Sequence, residues 1–119
     1  MAAKKIDFET VRKIAHTIGD VEDSTAYGTP ALKIRGELLA CIPNHKSAEP
    51  GSVAIRMDFA DRDELLRAAP DTYYLKEHYV NYPVVLVRLA RVDESILRDL
   101  LGMGWRFVTA KRARKKLRK

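Results

Sequence analysis

The residues best equipped to do chemistry stand together at the end of the chain. Residues 111–119 read KRARKKLRK, seven Lys or Arg in nine positions with no acidic residue among them. The whole chain has 22 Lys and Arg against 16 Asp and Glu, so residues 1–110 carry 15 against 16 and a formal charge of −1. The net charge of +6 is therefore local. A cation density of this kind attracts a phosphate backbone by releasing its condensed counterions, with a steep dependence on salt. The same run also suits a solvated helix end, where the macrodipole favours cations. As a membrane-surface segment it lacks an acyl site and an apolar partner face.

Four further cations, Lys33, Arg35, Arg56 and Arg88, alternate with apolar residues and are expected on the outer face of a sheet. With the Gly36-Glu37 turn and the His45-Lys46 loop at its edge, such a face could straddle a phosphate backbone. Long cationic side chains equally serve to cover a half-exposed sheet. The run Tyr73, Tyr74, His78, Tyr79 and Tyr82 offers rings for base stacking. It also suits a partly buried sheet edge with bonded hydroxyls. Tyr74 and His78, with Trp105, are the candidate lining of a small-ligand or protein-interaction pocket.

Catalytic signals are poor. His16, His45 and His78 have no metal-ligand spacing, and Cys41 lies in an apolar strand without an adjacent base, which reads as a buried inert thiol. There is no Gly-rich phosphate loop, Walker motif or paired-cysteine zinc motif. The expectation is no enzyme activity, no cofactor and no metal.

These residues need a frame to hold them. At 119 residues, 46% apolar and 32% charged, the chain fits a single domain over residues 1–119, with 111–119 as its basic extension. One cysteine, no apolar signal core and no membrane-length apolar run point to a cytoplasmic protein without a membrane partner. Asp7 caps a first helix with Phe8, Val11, Ile14, Ala15 and Ile18 on one face and Gly19 as its stop. Residues 20–30 read as a loop around one short strand. ALKIR and LLACIP form a hairpin, residues 44–51 a loop, and residues 52–59 a strand with Val53, Ile55, Met57 and Phe59 on one face. A helix over 61–69, a short strand and turn over 73–82 and the strand VVLVRL follow. Asp93 caps a helix that Gly102 or Gly104 closes, and a separate basic piece begins at Trp105. The fold class is α+β in two layers, an antiparallel sheet with helices packed on one face.

In order, YGTPALKIRGELLACI (27–42), SVAIRMDFADRDELL (52–66), YYLKEHYVNYPVVLVRL (73–89) and LLGMGWRFVTAKRARKKL (100–117) resemble the MmcQ/YjbR family over nearly the whole chain. The resemblance implies a CyaY-like fold and DNA binding through hairpin wings and the adjacent basic surface. Carried over, the wings are the 35–37 tip and the 44–51 loop, and the family's closing lysine pair is Lys115-Lys116. Glu37 and Glu49 put negative charge at both wings, which shifts the weight to the end of the chain. A frataxin-like iron role does not follow, because Asp7, Glu9, Asp20, Glu22 and Asp23 are sparse and interrupted by bases. The expected function is non-enzymatic, low-specificity DNA binding through Lys33, Arg35, Arg56, Arg88, Lys111, Arg112, Arg114, Lys115 and Lys116. RNA stays open beside DNA as the polyanion.

Overall fold

The computed structural model describes residues 6–43 and 48–117, apart from the side chains of 111–117. The expected His45-Lys46 loop edge, and the side chains of the basic extension, therefore lie outside the described residues. Helix α1 (Phe8–Ile18) opens the fold. The Asp7 carboxylate accepts from the Thr10 backbone N–H at 3.1 Å, and the Thr10 hydroxyl accepts from the Asp7 N–H, a reciprocal cap. Strands β1 (Glu22–Ala26), β2 (Thr29–Ile34) and β3 (Glu37–Cys41) form a meander, followed by β4 (Ser52–Arg56) and helix α2 (Phe59–Ala68). The two-residue β5 (Tyr73–Tyr74), a 3₁₀ turn over Glu77–Tyr79, β6 (Val84–Arg88) and α3 (Glu94–Leu117) complete the order. The six strands run β1-β2-β3-β4-β6-β5 and every neighbouring pair is antiparallel.

All three helices cover one face. There Leu32, Ile34, Val53, Ile55, Val85 and Val87 of the sheet meet Val11, Ile14, Leu97, Leu101 and Val108 of the helices in one core. The other face carries a thinner cluster of Ala31, Cys41, Ala54, Val84, Leu86 and Tyr74, with Ala48 and Tyr79 packed on it. A register shift opposite Leu32/Lys33 sends Leu39 and Ala40 together into the helix-side core and turns Cys41 to the thinner side. A bulge does this by inserting one unpaired residue into a strand of period two.

Four expectations need correction. Residues 20–30 hold not a loop around a short strand but a full hairpin, with Tyr27 and Gly28 both at positive φ in its two-residue turn. Arg35 and Gly36 form a second turn of the same kind, so the tip lies one residue before the expected one. Phe59 is not a strand residue: α2 starts there, because the Asp58 carboxylate accepts the Ala60 N–H at 2.8 Å and nucleates the helix earlier than Asp61 would. Finally, Gly102 and Gly104 do not end a helix. α3 runs unbroken past both, and Gly104 serves close packing: a Cβ there would stand 2.6 Å from the Arg56 carbonyl oxygen and 2.9 Å from Leu39 Cδ1.

Candidate nucleic-acid interface

The topology gives the sheet two functionally distinct ends. At one, β2 and β4 finish while β3 and β6 begin, which gathers the Arg35-Gly36 tip, Arg56 and the start of α2. At the other lie the Tyr27-Gly28 tip, the start of β4 and Arg88. α3 starts beside the second end, where Asp93 and Glu94 line an open groove of about 880 Å³ with Gly51 and Arg88. It then runs back across the sheet. Gly104 packs on Arg56 at the Arg35 end, and the Phe107 ring stands 5.5 Å from the Arg56 guanidinium. The helix continues to Leu117, nine residues beyond Val108, the last buried core residue among the described side chains, or about 13 Å at helical rise.

The stripe that α3 turns to the core is apolar as far as Val108. Leu97, Leu101, Gly104 and Val108 are buried and spaced four, three and four residues apart. The next positions on that stripe, at intervals of three and four, are Lys111 and Lys115. Lysine is almost never fully buried without a partner, so the apolar stripe of the sequence ends at Val108 while the backbone stays helical to Leu117.

Of the sheet-face cations, the structure gathers three and separates one. Lys33 is half-buried on β2 opposite Glu22, on the face away from the helices, and Arg35 is exposed at the tip. Arg56 is largely consumed within the protein: its guanidinium donates to the Leu38 carbonyl at 3.2 Å and to Glu37 Oε1 at 3.4 Å. Arg88 lies at the opposite end. It forms a two-pronged ion pair with Glu49, at 3.0 and 2.7 Å, donates to the Pro70 and Asp71 carbonyls, and stacks 4.3 Å over the Tyr74 ring. Bonding to Arg88 holds the Glu49 carboxyl below the usual carboxylate range. Arg88 is thus a strut that ties the end of the 42–51 connection to the sheet, and the expected four-cation face is not one surface.

The candidate pocket of Tyr74, His78 and Trp105 does not assemble. Tyr74 lies in the thinner cluster, where its hydroxyl shares a 2.6 Å hydrogen bond with Ser52 and accepts the Glu49 N–H at 2.8 Å. Trp105 is on the helix side, its indole edge 2.7–3.1 Å from where a Gly19 Cβ would stand, and its buried N–H has no acceptor among the described residues. His78 is exposed in the 3₁₀ turn, edge-on to Tyr79 at 4.9 Å. An alternating sheet separates neighbouring tyrosines: Tyr73 enters the main core and Tyr74 the opposite face. Burial pushes the Cys41 thiol up to about 11, which keeps it protonated and unreactive at neutral pH.

Sequence reasoning missed Arg62, the one charged side chain buried among the described residues, at 7% exposure. Its guanidinium donates to the Val80 and Tyr82 carbonyls, each at 2.9 Å, and to Asp63 Oδ1 at 2.9 Å, and it stacks 4.7 Å over Phe59. Arg62 thereby fixes the 80–82 turn against the start of α2. An arginine on a polar helix carries no sequence mark of burial, so only the fold reveals this role.

Among the described residues no helix is long and apolar enough to cross a membrane. No protein-family model and no curated protein matches the sequence. Among solved structures, the chain is similar to protein DR2400 of Deinococcus radiodurans, which carries a DUF419 domain. The TM-score is 0.69 at 16% identity, over 92% of this chain and 83% of that one. That likeness shows a shared α+β fold with an antiparallel sheet of six strands and three helices.

Proposed function

We propose that this protein is a non-enzymatic nucleic-acid-binding domain of the cytoplasm that grips the phosphate backbone of DNA with the basic end of α3. We place it with the MmcQ/YjbR family, to which the DUF419 domain is related. One observation carries the functional reading: α3 is a single helix from Glu94 to Leu117 that reaches the Arg35 end of the sheet at Gly104 and Phe107, and five of its last seven positions are Lys or Arg. Lys33 and Arg35 belong to that same end and supply flanking contacts, while Arg56 and Arg88 are withdrawn from the contact set by Glu37 and Glu49. Contacts of this kind position a protein on a duplex without reading bases, so binding is expected to be of low sequence specificity.

The test is a salt-titrated binding assay on duplex DNA, single-stranded DNA and RNA, comparing the full chain with one ending at Ala110. Removing seven cations is expected to weaken duplex binding by about 10²-fold or more near 100 mM salt, and to flatten the log–log salt slope by roughly 5 to 6. Equal binding by the two proteins, or no binding by the full chain at that salt, overturns the proposal.

A further inference from the structure

The Arg35 end of the sheet holds a second surface whose chemistry is opposite to that of the tail. Phe59, Val80 and Tyr82 are 44, 46 and 56% exposed, and the buried Arg62 joins them by bonding the Val80 and Tyr82 carbonyls beneath its stacked Phe59 ring. A buried arginine that holds exposed apolar side chains in place makes a preformed patch rather than a loose loop. The surroundings are acidic. Residues 58–67 and 77–82, which frame the patch, carry five Asp or Glu against two Arg, and Asp61 and Asp63 are exposed on the first turns of α2. The Arg62 charge is met by Asp63 at 2.9 Å. A phosphate backbone is repelled by such a rim, so the rings are poorly placed as a base-stacking platform. Guanidinium and ammonium groups, by contrast, gain from both aromatic faces and carboxylates.

We infer that this patch docks residues 111–119 of a second copy of the chain, forming a dimer held by reciprocal exchange of basic tails. Charge complementarity selects the occupant: the tail is +7 and the patch segment −3. A copy does not serve itself, because residues 111–117 continue α3 as one helix rather than turning back toward the patch. α3 reaches the patch end of the sheet at Gly104 and Phe107, so two copies meeting end to end satisfy both contacts at once and the assembly closes at two. The inference does not depend on nucleic-acid binding, although both draw on the same cations.

The experiment is sedimentation equilibrium of the full chain, freed of nucleic acid, at about 50 and about 500 mM salt, where screening lengths differ several-fold. A dimer is expected at low salt, its dissociation constant rising by about tenfold or more at high salt, as exposed ion pairs require. The chain ending at Ala110, the Phe59→Ser/Tyr82→Ser double variant and Asp61→Lys are each expected to be monomeric or nearly so at low salt. Circular dichroism checks that each is folded, and Asp61→Lys leaves the apolar patch untouched. A full chain that stays monomeric at low salt, or folded patch variants that associate as tightly as the unmodified chain, overturns the inference. A monomer that still binds duplex DNA would sink this proposal alone, and a dimer that binds no nucleic acid would sink the other alone.

Discussion

Two glycines on α3, two positions apart, answer to opposite forces. At Gly102 a Cβ would meet only the far end of the flexible Arg106 side chain at 3.4 Å, so Gly102→Ala is expected to stabilise the helix by about 0.5–1 kcal/mol through propensity. At Gly104 the same methyl would strike the Arg56 carbonyl oxygen, a backbone atom that cannot swing aside. Gly104→Ala is therefore expected to destabilise by about 1–3 kcal/mol despite the gain in propensity. Thermal unfolding of the two variants checks the pair, and a shift of the same sign in both would contradict the packing described. In sequence these residues looked alike, and both suggested a helix stop. What separates them is the distance from α3 to β4, which no local pattern encodes. Cys41 was legible as an inert buried thiol because its apolar neighbours already implied burial. Arg62 and Arg88 were not legible in their structural roles, since their partners lie 18 to 20 and 39 residues away along the chain.

Elements set by local chemistry could be read in advance, and those set by tertiary contact could not. Asp7 and the apolar spacing behind it gave α1, and alternation gave β4 and β6. β1 is poorly marked in the sequence because its turn holds Tyr27 at φ 54° before Gly28, where a tight hairpin ordinarily calls for Asn or Gly. Tyr27 is also 86% exposed, so its side chain contributes little burial to offset that conformation. Tyr27→Asn is accordingly expected to raise stability by about 0.5–1 kcal/mol, seen as a higher denaturant midpoint with unchanged slope. A loss of stability would mean that the ring contributes more to the hairpin than its exposure implies. The β3 bulge was equally hidden: period two predicts that Leu39 and Ala40 face opposite ways, and one extra residue sends both into the core.

At the scale of the molecule, the two-layer architecture was legible because helix and strand patterns were strong and their order permits few topologies. The candidate site was legible only as composition. The sequence marked a basic end, whereas the fold determined which cations share that end and which carboxylates claim the others. Because Val108 is the last buried core residue among the described side chains and the positions after Ala110 are mostly cationic, the chain ending at Ala110 is expected to melt within about 2 °C of the full chain by circular dichroism. A larger loss would mean that residues beyond 110 contribute to the core. The opposed ends of the sheet also bear on how the protein is handled. Ile6 lines the groove beside Gly51 and Arg88, so the N-terminal approach lies at the end remote from the basic stretch of α3. A sensor surface or affinity tag joined through the N-terminus leaves that stretch facing solution. One joined at the C-terminus sets a charged matrix beside Lys111 and Lys115, and would register the matrix as much as any partner.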